Sequence, residues 1–206
     1  MFITISRQYS AGGSIVALAV AKALDWDVVD DAFIEEVAER TGFAREEIEG
    51  LEERVPSFIE RFAQSSAASL PENLVVSPNW IDQPDVMRLA QVTRDVVEDL
   101  GRRDRVVLVG RAAAAVLARE RNAIHVRLVA PIEYRVRQAI ERLGVPEKKA
   151  QSHLEEIDDN RARYHLELYD RDWNDPIHYH FVLNTGLIGS EGAAQVIVEY
   201  ARELGW

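Results

Sequence analysis

The stretch Thr4–Leu24, TISRQYSAGGSIVALAVAKAL, decides how this chain is read. A β-branched run, Phe2 to Ile5, leads into a small-residue loop, Ser10-Ala11-Gly12-Gly13-Ser14. The loop opens into apolar periodicity that predicts a helix over Ser14–Leu24. Strand, glycine turn and helix start together make a cradle for an anion. Glycines let backbone amides converge, and the first helical turn leaves N–H groups unpaired at the positive end of its dipole. Against the phosphate-loop pattern G-x-x-x-x-G-K-[ST], Gly12 takes the second glycine and Ser14 the hydroxyl position. Arg7 then stands at the first glycine and Gly13 at the lysine, so the cation usual in such a loop is missing. The competing reading is a tight turn whose glycines serve packing alone.

Composition bounds the rest. A chain of 206 residues with 47% hydrophobic content suits one domain that buries its core without staples. It has no cysteine, which excludes disulfides and thiolate metal sites and fits a reducing compartment. The net charge of −11 argues against a non-specific grip on nucleic acid, while a phosphate ligand needs only a few local cations. Arg7 before Ile15–Val20 imitates a secretion signal, but Lys22 interrupts the apolar run and Phe2–Ile5 reads as a strand. No window approaches the roughly 20 apolar residues of a membrane span, so the expectation is a soluble, cytoplasmic protein.

Strand-like runs recur at Phe2–Ile5, Asp27–Val29, Arg105–Val109, Ile124–Val129 and Phe181–Leu183, mostly apolar on both faces. Between them the periodicity predicts helices at Ser14–Leu24, Asp31–Thr41, Ala44–Gln64, Pro84–Leu100, Ala112–Arg119, Ile132–Leu143, Pro146–Leu168 and Ser190–Leu204. Short buried strands alternating with helices imply a five-stranded parallel sheet covered on both sides, an α/β fold. Two outgrowths depart from this rhythm. One is a helical excursion whose middle, SSAASLPENLVVSPNWIDQP (Ser65–Pro84), reads as a loop. The other is the charged segment from Gly144 to Pro176.

The stretch RVVLVGRAAAAVL (Arg105–Leu117) repeats the N-terminal logic, placing Arg111 at the carboxyl end of a buried strand, where α/β sheets bind ligands. Further on, Arg161, Tyr164, Trp173, Asp175, Tyr179, Asn184-Thr185 and Glu191 complete a collinear pattern with ISRQYSAGGS and VVDDAFIEEVA. Over essentially the whole chain this pattern resembles the cytidylate kinase-like family of P-loop proteins. The resemblance implies a single three-layer domain over 1–206, with a helical acceptor region at about 33–100 and a lid at about 144–176. It implies ATP and Mg²⁺ as cofactors, a small-molecule nucleotide as partner, and phosphoryl transfer to a nucleoside monophosphate such as CMP or dCMP. It further implies that Arg7, Arg111 and Arg161 are catalytic and that Ser10, Ala11, Gly12, Gly13 and Ser14 hold the ATP phosphates. By the same resemblance Asn184 and Thr185 lie on the adenine side, Asp30 and Arg111 bind the acceptor, and Ser14 and Asp30 hold the metal. The chain departs from its relatives at Ser10, where glycine is usual, at Ser14, where arginine often follows the paired glycines, and around Leu166 and Glu167. These departures and the missing lysine favour one alternative, a nucleotide-binding protein that has lost catalysis; a second, a kinase of a small non-nucleotide alcohol, keeps the chemistry and is accommodated by the Ser65–Pro84 section.

Other features carry simpler readings. Arg135 and Arg137 stand two apart on a helix, so at most one points at the site. Asp175, His178 and His180 resemble a metal cluster, but Asp175-Pro176 more simply shapes a turn. His125 and His153 are isolated, at the core edge or the surface, and Trp206 docks on its own core.

Overall fold

The structure is a computed structural model that describes residues 1–29, 31–49 and 84–206. Asp30, the Ser65–Pro84 loop as far as Gln83 and the Ala44–Gln64 helix beyond Glu49 lie outside the described residues. Strands β1 (Phe2–Arg7), β2 (Asp27–Val29), β3 (Val106–Val109), β4 (Ala123–Val129) and β5 (Phe181–Asn184) form where the β-branched runs place them. They make one sheet in the order β2-β3-β1-β4-β5, with every pair parallel. β1 is central: it pairs with β3 from Phe2↔Val106 and with β4 from Phe2↔Ala123 through Arg7↔Leu128. Winding runs to one side of β1 and then to the other, and ligands bind at the carboxyl ends beside such a switch.

Helices α1 (Gly13–Leu24), α2 (Asp31–Thr41), α3 (Arg45–Glu49), α4 (Pro84–Gly101) and α5 (Ala113–Val116) precede β4. Helices α6 (Ile132–Leu143) and α7 (Glu147–Tyr169) lie between β4 and β5, and α8 (Thr185–Glu203) ends the fold. One face of the sheet packs Ile3, Ile5, Val107, Ile124, Val126 and Leu128 against α1 and α8 through Val16, Val20, Ala194 and Ile197. The opposite face packs Phe2, Val106 and Leu108 against α2, α4 and α5 through Phe33, Val37, Val97, Leu100 and Ala113. The result is a three-layer α/β fold. Among the described residues no helix is long and apolar enough to cross a membrane.

Two helix expectations change. Over Ala112–Arg119 only α5, Ala113–Val116, is helical. Gly110, Arg111 and Ala112 all hold positive φ (72°, 57° and 49°), so the alanine run begins late despite its propensity. The last helix begins at Thr185 rather than Ser190, because Asn184 Oδ1 accepts the Gly186 amide at 3.0 Å and caps it there. Gly189, at φ 72° and ψ 166°, then breaks the helix just before Ser190.

The strands are also not apolar on both faces. Thr4, Ser6, His125 and Arg127 are buried at alternating positions of β1 and β4. Thr4 Oγ1 is hydrogen-bonded to His125 Nδ1 at 2.8 Å. The Arg127 guanidinium lies 3.9 Å from the Trp173 ring centre and donates to Asn174 Oδ1 at 2.6 Å. Trp173 Nε1 donates to Ser6 Oγ at 2.8 Å, which stitches the segment after α7 to the middle of the sheet. Trp206 docks as expected, stacking on Trp26 with ring centres 5.9 Å apart.

Candidate active site

The site is assembled from the end of β1. Gln8 extends the pairing with β4, its amide donating to Leu128 O at 3.0 Å while its Oε1 accepts from Ala130 N at 3.0 Å. The Ala11 amide closes the turn onto Gln8 O at 3.1 Å. Ser10 is held at φ 63°, a left-handed conformation that glycine adopts freely and that costs other residues about 1–2 kcal/mol. Gly12 caps α1 at φ 82°, and a Cβ there would stand 2.7 Å from Ser190 Oγ, so both backbone and space demand glycine. The first helical bond runs from Val16 N to Gly12 O at 3.0 Å, leaving the preceding first-turn amides to a ligand or to water.

This loop opens on a cavity of about 440 Å³, lined by Gly12, Gly13 and Ser14 on one side. Gln138, Arg142 and Leu143 of α6 and Arg161 of α7 also line it. Arg161 is buried, donates from Nη1 to Arg7 O at 3.1 Å, and sits 5.6 Å over the Tyr9 ring. Behind the loop, Ser6, Arg7, Gly110, Arg161, His165 and Trp173 surround a second, water-sized gap of about 10 Å³. Two guanidinium groups therefore converge at the carboxyl end of β1.

The α7 segment is docked on the loop by a buried ion pair. Asp158 accepts the Tyr9 amide at 2.7 Å and Arg135 Nη1 at 2.6 Å. Burial pushes the Asp158 carboxyl up, against the opposing pull of the Tyr9 amide and the Arg135 and Arg161 guanidiniums. Arg135 also donates to Ala130 O at 3.1 Å, whereas Arg137 faces solvent, so one of the two arginines points inward as their spacing requires. Asp175 shapes the turn, accepting the Ile177 amide at 2.9 Å.

The anticipated site residues separate into groups. Arg7, Ser10, Gly12, Gly13, Ser14 and Arg161 meet at the large cavity. Ala11 lies beneath it, fully buried, and its carbonyl accepts the Thr185 hydroxyl at 2.9 Å. Thr185 thus braces the floor of the loop and Asn184 caps α8; neither lines the cavity. Arg111 stands apart on the excursion side, 5.4 Å over the Phe33 ring and donating to Ile48 O at 3.0 Å. Asp30 lies outside the described residues. Gln138 and Arg142 escape the sequence reading, although they are four apart and therefore on one helix face, while the charge run EEIDDNRARYH offers Asp158 to the lid beside Arg161 without singling it out.

The sequence matches the profile of the cytidylate kinase-like family over residues 2–187. The chain belongs to the cytidylate kinase-like family. That membership makes it a nucleotide-dependent, kinase-like phosphotransferase in class. Its fold is similar to a crystal structure of an uncharacterized protein from Eubacterium ventriosum, with TM-score 0.69, 19% identity and 98% of each chain covered. It is also similar to shikimate kinase from Bacteroides thetaiotaomicron, with TM-score 0.56, 13% identity and 98% of each chain covered. A curated relative, uronate isomerase from Corynebacterium glutamicum, is 30% identical over 114 residues, 55% of this chain and 22% of its own length. The chain thus spans about a fifth of that relative.

Proposed function

We propose that the chain transfers the γ-phosphoryl group of ATP to a nucleoside monophosphate, CMP or dCMP. The observation that carries this reading is the loop at Gly12–Ser14, whose first-turn amides begin a helix beside a cavity of about 440 Å³. That volume lies within the range of small-ligand sites, and the cavity is flanked by Arg7, Arg142 and Arg161. In the reaction an acceptor phosphate oxygen forms a bond to the γ-phosphorus as the bond to the β–γ bridging oxygen breaks. The protein's work is alignment and stabilisation of charge on the equatorial oxygens. Arg111, on the excursion side, holds the acceptor phosphate together with Asp30, and Asn184 and Thr185 flank the adenine end.

Ser14 brings the oxygen donor that magnesium takes. Ser14 lines the cavity in the first turn of α1, where its hydroxyl would hold the ion, with Asp30 as the second protein ligand. Such ions take few protein ligands and complete their shell with phosphate oxygens and water. Bound there, magnesium supplies positive charge at the β- and γ-oxygens.

The test is ADP release with CMP, dCMP, UMP, AMP and small hydroxylated acids as acceptors. Release stimulated by CMP or dCMP above the others is the expected result. ATP binding without release for any acceptor would support the non-catalytic nucleotide-binding reading instead.

A further inference from the structure

We infer that Arg7 performs the task of the lysine in a G-x-x-x-x-G-K-[ST] loop, its charge having moved from the helix to the strand. This rests on the phosphate-site reading above. The loop breaks that pattern at two positions, Arg7 in place of the first glycine and Gly13 in place of the lysine. In three dimensions the two exceptions are one feature. The aliphatic stem of Arg7 passes over Gly13: a Cβ at residue 13 would lie 2.9 Å from Arg7 Cγ and 3.2 Å from Cδ. Beyond Gly13 the guanidinium reaches Gly110, where a Cβ would overlap Arg7 Nη1 and stand 2.9 Å from Cζ. The side chain thus occupies a channel that exists only because both neighbours lack side chains.

The channel places the charge usefully. Arg7 lines both the large cavity on the loop and the small gap toward Gly110, so it stands between the donor side and the strand end that carries Arg111. Its backbone is fixed by pairing with β4 and by Arg161, which donates to its carbonyl. A guanidinium meets phosphate oxygens with a planar, two-pronged set of donors where lysine meets them with a single point. The same geometry makes the two arrangements mutually exclusive. A side chain at residue 13 collides with the stem of Arg7, so a lysine is tolerated there only when residue 7 is cut back.

Titration calorimetry of the full chain with ATP and Mg²⁺ tests this through binding rather than turnover. Arg7→Met keeps the stem and removes the charge, and should weaken ATP binding about tenfold to a hundredfold with an unchanged circular dichroism spectrum. Gly13→Lys alone should bind no better than Arg7→Met. The pair Arg7→Gly/Gly13→Lys, which converts the stretch to the full lysine pattern, should recover wild-type affinity to within about threefold. If Arg7→Met does not fold, Arg7→Gln makes the same comparison. Wild-type affinity in the charge-removed variant, or a pair no better than Gly13→Lys alone, overturns the inference and leaves the proposed function standing. A wild-type chain that binds no ATP overturns both.

Discussion

On the face under α1 and α8, β1 and β4 present Ile3, Ile5, Ile124, Val126 and Leu128, all at most 1% exposed. On the opposite face the same two strands present Thr4, Ser6, His125 and Arg127, almost as deeply buried but polar. The apolar face gains stability from contact area that has no preferred direction. On the polar face each group fixes the direction of a partner: Ser6 the Trp173 indole, Arg127 the Trp173 ring and Asn174, and His125 the His180 imidazole through its backbone amide at 2.9 Å. One face therefore holds the domain together, and the other holds the segment after α7 in register with the loop.

The largest expected effect breaks the apolar side of this comparison. Ile124 is fully buried between α1 and α8, and Ile124→Ala removes its contacts and leaves a cavity. Such truncations cost about 2–5 kcal/mol, so the urea midpoint should fall sharply with the denaturant slope unchanged. A loss below about 1 kcal/mol would mean that this face is not the main source of stability.

The next effect comes from the polar face and depends on pH. Burial, with His180 and Arg171 nearby, pushes the His125 imidazole from its ordinary 6.5 down to about 4. Between those values the unfolded chain binds a proton that the folded chain refuses. The stabilising contribution is therefore complete above about pH 6.5 and is lost as pH falls to about 4, a change of about 3 kcal/mol. His125→Gln should flatten this limb of the stability profile. An equally steep acid limb in the variant would assign it to other groups.

What the sequence reveals divides along the same line. Five strands and most helix ends were legible because β-branched runs, apolar periodicity and a stop such as Gly42 act locally, although Gly101, which reads as a stop after Leu100, is itself the last residue of α4. The late start of α5 was not legible: three consecutive residues at positive φ override the propensity of Ala112–Ala115, and only tertiary packing imposes that backbone. The cradle at Gly12–Ser14 could be read from glycine spacing. The threading of Arg7 past Gly13 and Gly110 could not, because β1 and β3 meet there from far apart in the chain. The polar face leaves a trace in the sequence. FITISR and AIHVRLV each place two polar residues at alternating positions, Thr4 with Ser6 and His125 with Arg127, and neighbouring parallel strands set those positions side by side. Asp158 gave a weaker signal, since in EEIDDNRARYH it is one of several carboxylates near Arg161 in a charge run that reads first as a solvated helix face.

The smallest expected change in stability sharpens the comparison most. Arg127 is buried with its guanidinium against Trp173; Nη2 is bonded to Asn174, and Nη1 has no hydrogen-bond partner among the described residues. Burial disfavours its charge and lowers its pKa. A buried, incompletely satisfied cation repays little of its desolvation, so the comparably long, uncharged side chain in Arg127→Met should change stability by less than about 1 kcal/mol. Arg127→Ala should cost about 2 kcal/mol or more, because it also empties the space under the indole. If the polar face exists to give direction, Arg127→Met should nonetheless speed amide hydrogen exchange over residues 171–180 and reduce nucleotide turnover. Exchange and turnover unchanged in Arg127→Met, with stability lost as in Ile124→Ala, would show that Arg127 contributes volume alone and that the two faces do the same job.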